Sequence, residues 1–443
     1  MKNDLFELNI TDINNDGEGV GKSDAFIWFV KDTVPGDHVL VSEMKRKKNY
    51  GYAKLQKVLE KSPDRCVAKC PVAKSCGGCN LQCMTYEAQL KFKYNKVLNN
   101  LKRIGGFANI ENIMKPTIGM EEPWRYRNKA IVPFGRNKNG EVVCGFYAGH
   151  THDIIECDDC LLGPAENAGL LKVIKDNYDD CIRHVLIKKG FATNQTMVCI
   201  VAEKKTFPSR DVIVKALIEM GITTVVLNIN KEDTNVILGK EELILYGPGY
   251  IEDYIGKLKF RISAKSFYQV NPVQVEKLYG KAATFADMKS GETVWDLYCG
   301  IGTISLSLAQ TASKVYGVEI VDRAIDDARM NARLNGIDNV EFYVGKAEEV
   351  LPREYERTGE KPDVIVVDPP RKGCDEVCLA TMIKMSPKRI VYVSCDSATL
   401  ARDLKVLCEN GYELKEVQPV DMFSQTVHVE TCALLTKASG SEA

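Results

Sequence analysis

The chain has 443 residues, of which 45% are hydrophobic and 27% charged, and its formal net charge is -1. This length exceeds what one hydrophobic core usually fills, so we expect two or three domains in an ordinary globular protein. The charge balance excludes a uniformly basic nucleic-acid binder, so any RNA surface must be a local patch. The N-terminus lacks an apolar signal core, and the early apolar run 25–30 is too short to span a bilayer. We therefore expect a cytoplasmic protein with no membrane partner and no obligatory protein partner, and we assign no role to the polar tail 439–443.

Residues 1–60 consist of short apolar runs separated by turn residues, a pattern that predicts a small β-barrel. Its basic run 45–54 carries Tyr50 and Tyr52 and contains no acidic residue. Such runs are often solvated loops. Tyrosines between lysines on a barrel favour an RNA surface instead, because rings stack on unpaired bases while lysines bind phosphates.

Five cysteines fall within the segment 66–83, and Cys70, Cys76 and Cys79 have the spacing C-x5-C-x2-C. Core packing does not explain this density, and disulfides are rare in the cytoplasm. Thiolate ligands suit either zinc or an iron–sulfur cluster, and the spacing alone does not distinguish them. A fourth ligand must come from elsewhere in the chain. The candidates are Cys157 and Cys160.

The middle of the chain begins with helical spacing of apolar residues over 85–103. A second basic and aromatic cluster follows at 124–129, and we expect its cations to contact RNA phosphates. Short strands then alternate with one or two helices as far as residue 260. This pattern predicts an α+β middle domain over 61–260.

From residue 261 onward strands alternate with helices, which is typical of a doubly wound parallel sheet. The first strand leads into Gly300-Ile301-Gly302, but Thr303 follows. A pyrophosphate would require a further close approach of the backbone at this position, as in the pattern GxGxxG. A ligand without phosphates therefore fits better. Glu319 ends the second strand, where it can bind both hydroxyls of a ribose, although a helix-capping carboxylate is the alternative. Together these features fit S-adenosylmethionine.

Two further residues indicate nucleophilic chemistry. Cys395 follows the fifth predicted strand, so we expect its thiol to face the ligand crevice, with a helix N-terminus favouring the thiolate. A buried core thiol is the alternative for a lone cysteine. Glu430 lies in the apolar run 426–435, predicted as a strand, where an ionised carboxylate is costly unless it is partnered or functional. A buried salt bridge to an arginine is the alternative there.

Motifs along nearly the whole chain resemble the class I RNA (uracil-5-)-methyltransferases that carry an N-terminal TRAM domain and an iron–sulfur cluster. The bacterial enzymes of large-subunit ribosomal RNA typify that family. The order and the intervals of the motifs make the match specific. The segments that carry it are the barrel, the cysteine cluster, 124–129, 266–271, 296–302, 368–373, 394–396 and 427–430.

The resemblance implies a TRAM-like RNA-binding barrel over 1–60, a middle α+β domain with the cysteine cluster over 61–260, and a Rossmann-like methyltransferase domain over 261–443. It further implies that the helix near 85–110 packs on the catalytic domain instead of the middle domain.

The resemblance further implies roles for single residues. The nucleophile would be Cys395 and the base Glu430. The residues that contact S-adenosylmethionine would be Gln269, Tyr298, Glu319 and Asp368. The ligands of a [4Fe-4S] centre would be Cys70, Cys76, Cys79 and Cys160, which leaves Cys66, Cys83 and Cys157 as extra cysteines. Thr303 stands where several relatives carry asparagine.

The implied function is formation of 5-methyluridine in 23S ribosomal RNA. Carbon 5 of uracil is a poor nucleophile, but addition of the Cys395 thiolate at carbon 6 makes the ring an enolate that attacks the methyl group. Glu430 then removes the proton from carbon 5 before the thiol leaves. The target uridine must be flipped or unpaired. A transfer RNA (uracil-5-)-methyltransferase and a noncatalytic iron–sulfur RNA-binding protein are the alternatives. The nearest rival enzyme, a methyltransferase of amino groups, would carry an aromatic residue where Arg371 follows the two prolines.

Overall fold

The computed structural model describes residues 5–149, 151–232 and 234–438, so the polar tail lies outside the described residues. The first five strands close into a barrel in the order β1-β2-β3-β5-β4, which confirms the predicted small barrel. Gly51 lies under the Trp28 ring, and an added Cβ would come within 2.3 Å of that ring. Glycine is therefore required where the chain crosses the barrel core. The strands are β1 (Leu5–Ile13), β2 (Gly19–Ser23), β3 (Phe26–Val30), β4 (His38–Arg46) and β5 (Tyr50–Glu60).

The cysteine segment leads from the barrel into the long helix α1 (Tyr86–Arg103). Thr85 caps this helix by accepting a hydrogen bond from the backbone N–H of Ala88, and the last turn carries Lys102 and Arg103. Both features match the helix dipole, so the helix begins and ends where its sequence favours it.

The middle of the chain forms a seven-stranded sheet in the order β12-β11-β10-β9-β6-β7-β8. Two helices cover one face of this sheet and enclose a core of their own. The other face joins the core of the C-terminal domain through the hairpin β13–β14. The elements are β6 (Lys129–Arg136), β7 (Val142–Tyr147), β8 (Ile154–Glu156), α2 (Asn167–Asp176), β9 (Ile182–Lys189), β10 (Thr196–Ala202), α3 (Arg210–Glu219), β11 (Thr224–Ile229), β12 (Glu241–Tyr246), β13 (Tyr250–Ile255) and β14 (Leu258–Ser263).

The C-terminal segment forms a second seven-stranded sheet in the order β17-β16-β15-β18-β19-β21-β20, with helices on both faces. The predicted α/β doubly wound fold is confirmed. The elements are α4 (Pro272–Ala286), β15 (Thr293–Leu297), α5 (Thr303–Leu308), β16 (Lys314–Glu319), α6 (Asp322–Leu334), β17 (Val340–Val344), α7 (Ala347–Thr358), β18 (Val364–Val367), α8 (Glu376–Met385), β19 (Arg389–Ser394), α9 (Ser397–Glu409), β20 (Tyr412–Val420) and β21 (Glu430–Lys437).

The last strand departs from the predicted pattern. β21 runs antiparallel between β19 and β20, and it begins at Glu430. The prediction of one continuous strand over 426–435 is therefore wrong, because 421–429 forms a loop whose polar groups bond to other elements. This loop places Glu430 at the end of a strand instead of inside one.

The helix α1 packs against α9 and β20, where Val97 and Leu101 share a core with Leu400 and Leu404. The segment between the barrel and the middle sheet therefore lies against the C-terminal domain. The three domain boundaries drawn from the sequence stay a prediction. Within the described ranges, every helix is too short or too polar to cross a membrane.

Candidate active site

Five of the predicted site residues lie at one edge of the C-terminal sheet. Tyr298, Asp368 and Cys395 directly follow the parallel strands β15, β18 and β19, and Glu319 ends β16. Because β21 runs antiparallel, its first residue, Glu430, lies at the same edge. This is the edge at which open α/β sheets bind ligands.

The strand register makes Cys395 and Glu430 neighbours. Ser394 lies opposite Thr431 in the β19–β21 pair, so one further step along each strand brings Cys395 opposite Glu430. Neighbouring strands are about 4.8 Å apart. β18 lies on the other side of β19, and Asp368 directly follows it. A thiol and two carboxylates therefore share one strand edge.

Glu430 is buried, and the half-buried Asp368 lies near enough to act on it electrostatically. Burial, and after it the charge of Asp368, raise the pKa of Glu430 to about 8 against an opposing effect of Arg371. Burial also raises the pKa of Asp368 to about 7. Among the described residues, no arginine or lysine lies within ion-pair distance of Glu430, so the alternative of a buried salt bridge is wrong.

The thiol of Cys395 is half-buried and is not activated in the free protein. Burial, and after it the charges of Glu430 and Asp368, raise its pKa to about 11. These effects outweigh any favourable effect that the start of α9 has on the thiolate. Asp396 caps that helix and accepts hydrogen bonds from the N–H groups of Ala398 and Thr399 at 2.9 and 3.0 Å.

Glu319 holds the glycine loop to the next helix. Its two carboxylate oxygens accept hydrogen bonds from the N–H of Gly300 at 3.2 Å and the N–H of Val321 at 3.0 Å. Val321 is the cap residue of α6, so the helix-capping alternative describes part of what Glu319 does. Each oxygen keeps a second lone pair for another donor. Gly302 has a φ of +83°, a left-handed backbone conformation that glycine adopts without strain. The loop can therefore turn sharply at this residue.

Asp296 is a site residue to which sequence reasoning gave no role. It is fully buried, and burial raises its pKa to about 7. One carboxylate oxygen accepts a hydrogen bond from the Ser305 hydroxyl at 2.5 Å, while the other has no partner among the described residues. A buried acceptor without a donor is rare in proteins, so a ligand donor fits here. The segment 296–302 was the available signal.

Tyr279 connects the predicted cofactor residues, and no motif indicated it. This buried side chain from α4 accepts a hydrogen bond from the Thr303 hydroxyl at 3.3 Å, bonds to the Gln269 side chain and faces Asp368. Thr303 therefore has a defined partner. Phe267 also escaped sequence reasoning, although it lies two residues before Gln269 and is 67% exposed.

Residues of the basic and aromatic segment 124–129 form hydrogen bonds and an ion pair with other parts of the protein. Arg125 forms a two-pronged ion pair with Asp159 at 2.5 and 2.6 Å, so its guanidinium already has an anionic partner, and the expected phosphate contact stays a prediction. The Tyr126 hydroxyl donates to the backbone oxygen of Ser424 at 3.0 Å. Asn128 donates to the backbone oxygen of Gln269 at 3.0 Å. Through these bonds the segment connects the cysteine region, by way of Asp159, with the residues around the site, by way of Ser424 and Gln269.

Burial raises the pKa of the Cys76, Cys79 and Cys160 thiols, and neighbouring thiols of this group, Cys70 among them, add to the rise. The N–H of Gly78 donates to the Cys76 sulfur at 3.4 Å. Cys66 and Cys83 are joined by a backbone hydrogen bond, which the N–H of Cys66 donates to the backbone oxygen of Cys83 at 2.9 Å. Arg65 is adjacent to this pair. Cys157 is buried beside the first group.

The residues that the structure describes contain no group of three or more histidine, cysteine, aspartate or glutamate side chains that can hold one metal ion. A half-buried cation lies beside two of these thiols. Arg127 faces Cys79 and Cys160, and its buried Nε atom has no hydrogen-bond partner among the described residues. A buried donor of a charged group favours a nearby anion.

Comparisons with known proteins give a consistent result. A sequence model of the tRNA (uracil-5-)-methyltransferase family matches residues 244–438. An uncharacterized RNA methyltransferase of Halalkalibacterium halodurans is 47% identical over 449 residues, covering 98% of this chain and 97% of that protein. One of Clostridium acetobutylicum is 47% identical over 455 residues, covering 98% of each chain. The structure of the Pyrococcus abyssi tRNA (uracil-54, C5)-methyltransferase in complex with S-adenosyl-L-homocysteine matches with a TM-score of 0.77 at 27% identity, covering 97% of this chain and 100% of that one.

The doubly wound sheet and its strand-edge site define an S-adenosylmethionine-dependent methyltransferase that acts on RNA. Full-length relatives at 47% identity place the chain more narrowly. It belongs to the RNA (uracil-5-)-methyltransferase family.

Proposed function

We propose that the chain methylates carbon 5 of a uridine in 23S ribosomal RNA, with Cys395 as the nucleophile and Glu430 as the base. The observation that carries this proposal is the pairing of β19 with β21, which puts the thiol and the carboxylate at neighbouring strand ends. The carboxylate is buried without an ion-pair partner among the described residues, which suits a base whose pKa must lie near the working pH.

The reaction proceeds in four steps. The Cys395 thiolate bonds to carbon 6, and the ring electrons move toward carbon 5 and the carbonyl oxygen. Carbon 5 then forms a bond to the methyl group as the bond from that methyl to the donor sulfur breaks. Glu430 takes the proton from carbon 5. The carbon–sulfur bond at carbon 6 breaks last, so the double bond reforms and the thiolate is regenerated.

The residues around the glycine loop would hold S-adenosylmethionine. Glu319 has free lone pairs that suit the two ribose hydroxyls, and the unpartnered oxygen of Asp296 suits the ammonium group. Gln269, Tyr298 and Asp368 complete the predicted set. The bound cofactor supplies an electrophilic methyl group on a positively charged sulfur.

Contact with RNA would involve the barrel and the mouth of the site. Phe29, Tyr50 and Tyr52 form an aromatic cluster with ring centroids 5.6 to 5.8 Å apart, beside the exposed basic run 45–48. Stacking rings beside lysines suit unpaired bases. Phe267 is exposed next to the cofactor segment and suits a flipped uracil as a stacking partner.

Transfer RNA is the second candidate substrate. It is favoured by the description of the matching family model and by the Pyrococcus abyssi structure, which covers 97% of this chain. Total RNA from a strain lacking the protein would be incubated with labelled S-adenosylmethionine, and the labelled nucleotide would be mapped. Label in 23S ribosomal RNA supports our proposal, and label only in transfer RNA replaces it with the second candidate.

We propose a [4Fe-4S] cluster on Cys70, Cys76, Cys79 and Cys160. A single zinc ion would need four sulfurs within about 4 Å of each other. A four-iron cluster binds each thiolate to a different iron, so the four thiolates need not converge on one ion. Its negative charge would also partner Arg127. Anaerobic purification should give brown protein with about four irons per chain, and colourless protein with one zinc would refute the cluster.

The roles of the two catalytic residues are tested by substitution. Cys395→Ala should abolish turnover while leaving S-adenosylmethionine binding intact, and Glu430→Gln should trap a covalent RNA adduct that survives denaturation. Cys408→Ala is the matched control, because burial also raises the pKa of this half-buried thiol to about 11. Cys408 lies near the far end of α9, and its loss should leave activity unchanged. Normal methylation by Cys395→Ala would refute the mechanism.

A further inference from the structure

The loop 421–429 leads directly into Glu430 and is held by elements far from it in sequence. Lys93 of α1 donates to the backbone oxygen of Phe423 at 2.9 Å and also pairs with the Asp421 carboxylate. Lys96 donates to the backbone oxygen of Val427 at 3.0 Å. The position of the strand that starts at Glu430 therefore depends on α1 and its surroundings.

Gln425 is the central residue of this loop and is held most extensively. It is 3% exposed and has a φ of +67°, a backbone conformation that residues other than glycine rarely adopt. Its backbone oxygen accepts hydrogen bonds from the N–H groups of Asn80 and Leu81 at 3.0 and 3.1 Å. Both donors directly follow Cys79.

Gln89 of α1 makes a reciprocal pair with Gln425. The side-chain oxygen of Gln89 accepts from the backbone N–H of Gln425 at 3.0 Å, and its amide nitrogen donates to the side-chain oxygen of Gln425 at 3.0 Å. The same amide also donates to the backbone oxygens of Leu81 and Met84 at 3.2 and 3.0 Å, so two hydrogens serve three acceptors. The Gln89 side chain joins the cysteine segment, α1 and the loop at one point.

We infer that the Gln89–Gln425 pair is a positioning device that sets the place of Glu430 for proton removal from carbon 5. A left-handed backbone at a residue other than glycine persists only where its surroundings fix it. Without Gln89, the buried N–H of Gln425 loses its acceptor, and the loop relaxes to a conformation that pairs this group elsewhere. Glu430 follows five residues later and would shift with the loop.

This inference rests on the proposed role of Glu430 and predicts which step slows. Addition of the thiolate and transfer of the methyl group do not require the base, whereas proton removal does. A misplaced base therefore leaves the first two steps running and delays release. A methylated covalent adduct between Cys395 and the RNA should accumulate, which a general loss of stability would not produce.

The test compares Gln89→Leu and Gln425→Asn with a matched control in the full-length protein. Leucine keeps the volume of Gln89 and removes its hydrogen bonds. Asparagine tolerates the left-handed backbone at 425 but is too short to keep the side-chain contact with Gln89. Gln418→Leu is the control, because this buried glutamine donates to the backbone oxygens of Pro116 and Pro419 at 2.7 and 3.0 Å, outside the loop.

Each variant would be mixed with labelled S-adenosylmethionine and total RNA from a strain lacking the protein, quenched with denaturant, and assayed for labelled adduct. For Gln89→Leu we expect about tenfold more adduct at steady state and about tenfold lower kcat, with the single-turnover rate of methyl transfer within about twofold of the wild type. Gln425→Asn should show the same signature more weakly, so a folding failure of Gln89→Leu does not remove the test.

Glu430→Gln separates the possible failures. If Glu430→Gln traps adduct while Gln89→Leu and Gln425→Asn behave like Gln418→Leu, the positioning role is refuted and the proposed base stands. A fall in kcat for both loop variants without adduct also refutes the positioning role. If Glu430→Gln traps no adduct, the proposed base fails and the inference fails with it.

Discussion

Replacing Glu430 by glutamine should stabilise the protein at high pH while abolishing turnover. The pKa of this buried carboxyl rises from an ordinary 4.5 to about 8 in the folded protein. Its unfolded form ionises first, so the folded protein loses stability as pH rises from 4.5 to about 8 and loses no more above that value. Glutamine has nearly the same shape and cannot ionise, so the variant escapes this loss.

The size of the effect follows from that rise in pKa. At about 1.4 kcal/mol per pH unit, ionisation of Glu430 costs at most about 5 kcal/mol. We expect less than half of this ceiling, about 2 kcal/mol, because buried sites respond with an effective dielectric constant nearer 20 than 4. In a domain of this size, that gain corresponds to a rise in melting temperature of about 4–8 °C.

The assay is thermal unfolding of Glu430→Gln and wild type at pH 5 and pH 8.5. The difference in melting temperature should be small at pH 5 and large at pH 8.5. Glu292→Gln is the matched control with the opposite sign, because Arg389 and Lys388 pair with Glu292 and its pKa is lowered. Its loss should lower the melting temperature at both values. An equal difference for Glu430→Gln at both pH values would refute the buried, unpartnered carboxylate.

Three further outcomes are expected. Alkylation of Cys395 by iodoacetamide, followed by mass spectrometry, should be slow at pH 7 and rise about tenfold per pH unit toward pH 10, because its pKa is raised to about 11; a plateau below pH 8 would contradict this. Asp296→Asn should weaken S-adenosylmethionine binding about ten- to hundredfold in calorimetry, since a charged acceptor is lost, and unchanged affinity would exclude the proposed ammonium contact. Gly373→Ala should destabilise the protein by about 2–4 kcal/mol in thermal unfolding, because its new Cβ meets the buried Asp403 carboxylate at 2.6 Å as well as adopting a left-handed backbone. Gly359→Ala, with a similar φ but open space, should cost only about 1 kcal/mol, and equal losses would contradict the clash.

The sequence predicted those features that depend on local pattern. The fully apolar run 364–367 is a central strand, and the acid Glu319 ends the strand where the pattern placed it. Both follow from burial on two faces of a parallel sheet. The partners of a side chain were harder to predict from the sequence. The local sequence around Arg125 indicated an RNA contact, since it does not show the ion-pair partner Asp159, which lies 34 residues away in the chain.

The insertion of β21 between β19 and β20 was beyond reach for the same reason. Nothing in the run 426–435 distinguishes a strand that starts at Glu430 from one that contains it, because Val427 and Val429 continue the alternating pattern of a strand. The loop is set by partners such as Gln89 and Asn80, which lie more than 300 residues earlier in the chain. Tertiary contacts of this kind override the local pattern.

The antiparallel direction of β21 explains how the proposed base lies beside the proposed nucleophile. In a fully parallel sheet, a catalytic group at this edge would have to follow a strand, as Cys395 does. It would then sit in the connection that follows the strand, as Asp368 does after β18. β21 instead starts at the edge, so Glu430 is the first residue of a strand flanked on both sides by β19 and β20. Its neighbours in the sheet remove it from water, and burial raises its pKa to about 8, in the range that a base at neutral pH requires.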